Sequence, residues 1–123
     1  MAVLTENITA LKQRIRILEE RYDRPRDSVR LLAVSKKQAP EKIRRAAAAG
    51  IKDFGENYFQ EALEKIEGFS DLELSWHFIG PIQSNKTRGI AEHFDWVQSV
   101  DREKIARRLS AQRSDTRPPL NVC

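Results

Sequence analysis

Ser35, Lys36 and Lys37 follow directly on a short apolar run, Leu31–Val34, and the stretch closes at Pro40. Four apolar residues are too few for an independent helix. The pattern reads as a buried strand that delivers a hydroxyl and two amines to its carboxyl end. Such strands belong to parallel sheets covered by helices, where ligands gather at the strand ends. A lysine that sheds hydration at such a mouth can attack a carbonyl carbon as a free amine. The competing reading is two solvated lysines opening a helix.

Other residues able to do chemistry fall at similar places. Glu56 and Asn57 close a second extended stretch, Gly80 through Asn85 follow a third, and Ser99 and Asp101 close a fourth. Each has a plainer reading alone. Asn57 and Asp101 suit helix caps, His77 alternates into a strand as a core histidine would, and Lys86 and Arg88 open a helix as solvated charges. Their shared address, rather than any single residue, points to a site.

The totals narrow the field. The chain has 123 residues, enough for one domain at most, with 40% hydrophobic and 33% charged residues, as in soluble globular chains. No apolar run reaches the roughly 18 residues of a membrane span, and the amino terminus lacks a signal-peptide layout. The single cysteine, Cys123, allows no internal disulfide framework and suits a reducing cytoplasm; with only two histidines there is no zinc-ligand spacing. The net charge of +4 admits anionic partners. Yet the basic residues alternate with acidic ones (Glu41-Lys42, Glu64-Lys65, Arg102-Glu103-Lys104) as on solvated faces, so no nucleic-acid partner is expected.

The elements that must position these residues follow from periodicity. Thr5 caps a first helix to about Tyr22, with Ile8, Leu11, Ile15, Leu18 and Tyr22 as its apolar stripe. Leu31–Ser35 is the first strand. Pro40 opens a second helix that Gly50 stops. Lys52–Asn57 is the second strand, and Asn57 caps a helix over 58–66 that ends before Gly68. Leu74–Gly80 is the third strand and is followed by a short helix from about Asn85 to His93. Trp96–Val100 is the fourth, and Asp101 caps a helix carrying Ile105 and Leu109. Leu120–Val122 begins a fifth strand. Strand starts recur every ~20–25 residues, the pitch of a (β/α)8 barrel. A flavodoxin-like open sheet shares this alternation, although no phosphate-loop or dinucleotide glycine fingerprint follows any strand.

Four segments carry a resemblance: VSK at Val34–Lys36, DFGENYFQE at Asp53–Glu61, WHFIGPIQSNK at Trp76–Lys86 and FDWVQSVDR at Phe94–Arg102. In this order and spacing they closely resemble the pyridoxal phosphate homeostasis proteins, from about residue 7 to the end of the chain. The resemblance implies a fold like the amino-terminal barrel of alanine racemase. The expected fold class is therefore α/β, the amino-terminal half of a (β/α)8 TIM-type barrel. It would form a single partial domain over residues 1–123, with four complete parallel strands and the start of a fifth.

The resemblance also implies pyridoxal 5′-phosphate (PLP) held as a Schiff base on Lys36, with Lys37 at a position where the family usually has another residue. Asn57 matches the family's asparagine beside the cofactor. His77, Ile79, Ser84 and Asn85 match residues lining the same mouth. The implied role is PLP buffering and delivery in vitamin B6 homeostasis, without an established turnover reaction. Two other readings stay open: a PLP-dependent enzyme such as an amino-acid racemase, and a truncated, cofactor-free interaction module. The family's phosphate-binding residues, after the seventh and eighth strands, lie beyond this chain. A half-barrel has unpaired strand edges, so self-association is expected.

Overall fold

A computed structural model describes residues 2–123. The order is α1 (Ala2–Arg21), β1 (Leu32–Val34), α2 (Pro40–Ala48), β2 (Asp53–Glu56), α3 (Phe59–Gly68), β3 (Ser75–Phe78), α4 (Thr87–His93), β4 (Trp96–Val97), α5 (Glu103–Gln112) and β5 (Asn121–Val122). A single 3-10 turn, Ser84–Lys86, precedes α4. The five strands form one parallel sheet in chain order, β1-β2-β3-β4-β5. A doubly wound sheet reverses its strand order, whereas sequential βα units keep it, as the first half of a (β/α)8 barrel does.

The helix-facing side of the sheet forms the core. Phe54 packs on Trp76 at 5.7 Å between ring centroids, and Phe69, just past α3, stacks on Trp76 at 6.4 Å. Phe78 meets Phe94 edge-on at 5.3 Å. Ile90, Ala91, Val97, Ile105 and Leu109 complete a fully buried patch under α4 and α5. The other face of the sheet carries Leu32, Val34, Gly55, His77 and Trp96, one residue out of phase with the core set, as the two-residue strand period requires.

Several expected details stand. Pro40 opens α2, Ile43 and Ala46 bury against the sheet, and Gly50 stops the helix with φ +101°. Others are corrected. Helix α1 already runs from Ala2, so Thr5 lies inside it and caps nothing. Its stripe is only partly covered: Ile8 is buried, but Leu11 and Tyr22 are 45% and 69% exposed. Tyr58 and Arg102, not Asn57 and Asp101, occupy the cap positions of α3 and α5, and neither makes a side-chain cap bond. Helix α3 runs on through Gly68, and Asn85 lies in the 3-10 turn rather than in α4. The strands are also shorter than the apolar runs suggested, because the chain turns within one or two residues of each carboxyl end.

The largest surprise is Lys65. Charge alternation assigns it to a solvated face, yet it is 9% exposed. Its Nζ donates to the Ser35 carbonyl at 2.6 Å, to Glu56 Oε2 at 2.8 Å and to Glu61 Oε2 at 2.7 Å. A buried ammonium persists only when its donors are met, and these three acceptors meet them.

Candidate functional site at the carboxyl edge of the sheet

Strand register sets the site's layout. Val34 pairs with Gly55, Gly55 with His77, and His77 with Trp96, forming one row on the face away from the helices. Backbone bonds carry the ladder further: Ser35 N to Gly55 O at 3.0 Å, Ile79 N to Glu56 O at 2.9 Å and Gln98 N to Phe78 O at 2.9 Å. The next residues on the same face are Asn57, Ile79 and Gln98; Lys36 stands beside them just past β1, in a turn closed by the Gln38 N–H on the Ser35 carbonyl at 3.1 Å.

The backbone on either side of Lys36 is tied down. Ser35 is buried; its hydroxyl bonds Glu56 Oε2 and lies 3.3 Å from the Gly55 carbonyl. Its own carbonyl is held by Lys65. Lys37 has φ +59°, in the left-handed region that non-glycine residues seldom visit, and its N–H donates to Glu61 Oε2 at 2.6 Å. Lys36 itself is exposed, and among the described residues its amine has no hydrogen-bond or ion-pair partner. A fixed backbone carrying an uncommitted amine is what an incoming carbonyl compound requires.

Asn57 is half-buried, and its side-chain Oδ1 is buried with no hydrogen-bond partner among the described residues. A buried acceptor left open in this way costs stability and suits a donor brought by a ligand. Gly80 makes its position possible, since a Cβ there would lie 2.6 Å from the Asn57 carbonyl oxygen and 2.8 Å from the Asn57 Cβ. Ser99 Oγ donates to the Gly80 carbonyl at 2.6 Å and fixes that approach. Ile79 lies over Gly55, where an added Cβ would meet its Cδ1 at 3.1 Å, and supplies an apolar wall.

His77 lies one row lower and is fully engaged. Gln98 Nε2 donates to its Nδ1 at 3.0 Å, so Nε2 carries the proton donated to Asp53 Oδ1 at 2.9 Å. Its ring stacks on Trp96 at 5.3 Å, 7° from parallel. Arg30 bonds the same Asp53 oxygen at 2.5 Å and sits over Trp96 at 5.5 Å. His77 thus forms the floor beneath Ile79, level with Gly55 and Trp96. Ser84 and Asn85 stand further out, in the turn after β3; the Ser84 carbonyl accepts Thr87 Oγ1 at 3.0 Å and Arg108 Nε at 3.2 Å.

Lys36, Asn57 and Ile79 thus lie at one edge of the sheet, Lys36 in the turn after β1 and the other two on the face of Gly55, with His77 one step below Ile79 and Ser84 and Asn85 in the turn after β3. Sequence reasoning missed Glu61 and Lys65, which hold the lysine turn. The available signal was their four-residue spacing, which puts both on one helix face.

A parallel sheet whose strands run in chain order, with a helix after each of the first four, has the layout of the first half of a (β/α)8 barrel. The chain belongs to the family described as alanine racemase, N-terminal domain, which it matches over residues 7–123. It is 58% identical over 123 residues to the pyridoxal phosphate homeostasis protein of Pseudomonas aeruginosa, covering all of this chain and 54% of that protein. With the protein of the same name from Escherichia coli it shares 46% over 122 residues, 97% of this chain and 52% of that one. The PLP-bound structure of PipY from Synechococcus elongatus superposes with a TM-score of 0.68 at 47% identity, covering 79% of this chain and 46% of PipY. An uncharacterised Bifidobacterium adolescentis protein gives a TM-score of 0.80 at 32% identity, over 89% of this chain and 49% of that one. The chain spans about half the length of the curated relatives it matches.

Proposed function

We propose that this chain carries the lysine-bearing half of a PLP site and serves pyridoxal phosphate homeostasis by holding the cofactor covalently on Lys36. The observation that carries the reading is an uncommitted amine at Lys36, in the turn just past β1, on the same edge of the sheet as an open, buried acceptor at Asn57 and an apolar wall at Ile79. When bound, PLP supplies an aldehyde that condenses with a primary amine, and a polar, flat ring. The residues present suit the aldehyde and the ring. Asn57 Oδ1 is placed to accept from a donor on the ligand, Ile79 to pack on the ring, and Ser84 and Asn85 to close the outer margin. His77 acts through the floor, keeping the row above it level.

The reading is of a carrier rather than a catalyst. It is supported by the names of the relatives, which are homeostasis proteins, and by His77, whose two ring nitrogens are both occupied by Asp53 and Gln98 and so are not free to move a substrate proton. The test is an intact-mass measurement after borohydride reduction with PLP. One cofactor equivalent should be fixed per chain, with no consumption of any L-amino acid by the loaded form. Absence of the mass gain would overturn the binding reading, and amino-acid turnover would overturn the carrier reading.

The 123-residue chain is also proposed to self-associate. Strands β1 and β5 are both edges of the sheet, Val34 and Val122 on them are 52% and 54% exposed, and an apolar groove of ≈ 370 Å³ runs between α1, β1 and α2. Light scattering at micromolar concentration should give at least a dimer; a well-folded monomer would refute this.

A further inference from the structure

Two lysines stand side by side at the site, and something must decide which amine faces it. We propose that Glu61 is the positioning residue that makes this choice, by holding the Lys37 backbone so that Lys36 alone is presented on the inner face. The inference deepens the cofactor reading and rests on it for the identity of the aldehyde.

The geometry is specific. Glu61 Oε2 accepts the Lys37 N–H at 2.6 Å and, through the same oxygen, the Lys65 ammonium at 2.7 Å. Lys65 is in turn anchored on the Ser35 carbonyl and on Glu56, which is fully buried. The carboxylate is therefore braced from inside the fold and pulls the chain out of its extended path one residue after Lys36. Lys37 accepts a left-handed backbone, φ +59°, which an L side chain adopts only at a cost when nothing holds it there. The Lys65 hydrogen bond, joined by the Lys37 N–H, holds the Glu61 carboxyl below its ordinary value, so it meets the turn as a carboxylate. Lys36 and Lys37 are the two central residues of a turn closed by the Gln38 N–H on the Ser35 carbonyl at 3.1 Å, and the left-handed backbone at Lys37 sends its side chain off along a different line from that of Lys36.

Without Glu61 the turn at Lys37 loses its anchor, and the two amines compete for the same aldehyde. In the test, the chain is treated with PLP, or with formaldehyde as an aldehyde lacking ring and phosphate, and then with borohydride. The amine nitrogen bonds the aldehyde carbon, the carbonyl oxygen leaves as water, and borohydride delivers a hydride to that carbon. Tandem mass spectrometry of the peptide holding both lysines gives the ratio of label on Lys36 to label on Lys37.

The ratio should favour Lys36 in the parent chain and fall by about tenfold in Glu61→Ala, the factor that one charge-assisted hydrogen bond commands. Glu61→Gln keeps an acceptor and should give a smaller fall; it also serves if the alanine variant loses its helical circular dichroism. A ratio unchanged in a folded variant overturns the proposal. If PLP labels neither lysine in the parent while the formaldehyde ratio still responds to Glu61, the cofactor reading fails and the positioning role stands.

Discussion

Gly80 and Asn57 touch through their backbones, so closely that a single methyl group on Gly80 would fall 2.6 Å from the Asn57 carbonyl oxygen. The contact joins the loop after β3 to the end of β2 and fixes Asn57 with its side-chain acceptor open. The obstacle is backbone rather than a flexible side-chain tip, so neither partner can yield cheaply. Gly80→Ala should destabilise the fold by about 1–3 kcal/mol, the usual cost of forcing extra volume into a packed site. Urea unfolding measures it, and a parallel loss of PLP affinity would show that Asn57 had moved.

Lys65 and Glu56 make the second prediction. Both are buried, and removing one member of such a pair strands the other, typically costing about 3–5 kcal/mol. Lys65→Met should therefore lower the urea midpoint markedly, and the double variant Lys65→Met with Glu56→Leu should recover part of the loss. A single variant as stable as the parent would mean that the ammonium contributes nothing net.

Acid should loosen the fold in a defined window. The Lys65 hydrogen bond, with help from the Lys37 N–H, holds the Glu61 carboxyl below its ordinary 4.5. The Val29 N–H, joined by that of Asp27, does the same for Glu19. A carboxyl with a lowered folded value binds fewer protons folded than unfolded, so its contribution is complete above the ordinary value and is lost as pH falls through the folded one. Urea midpoints should thus hold steady above about pH 5 and decline below the ordinary carboxylate range. The decline should be shallower in Glu61→Gln and Glu19→Gln. Equal slopes in all three proteins would refute the assignment.

The order of elements was legible because β1 and β3 lie in apolar-rich runs and α2 and α5 have clean inner faces: Ile43 and Ala46, and Ile105 and Leu109. Spacing left a barrel half and a flavodoxin-like open sheet both open; the resemblance of the four motifs pointed to the barrel, and the sequential strand order agrees with it. What escaped depends on partners distant in sequence. Lys65 reads as solvated because charges usually are; only the meeting of α3 with the ends of β1 and β2 buries it against Ser35, Glu56 and Glu61. Asn57, Asp101 and Thr5 are good cap residues by type, but the neighbouring Tyr58 and Arg102 stand at the caps of α3 and α5, and α1 already runs from Ala2. In the site, Lys36 and Asn57 were readable as strand-end residues. The engagement of His77 was not, because its acceptor and donor, Asp53 and Gln98, lie on β2 and just past β4.

The most direct measurement of the central claim is a PLP absorbance titration of Lys36→Ala beside Lys37→Ala. The account predicts that the visible band of the lysine adduct disappears in the first variant and survives at parent affinity in the second. Equal binding by both variants, or loss only in Lys37→Ala, would contradict it.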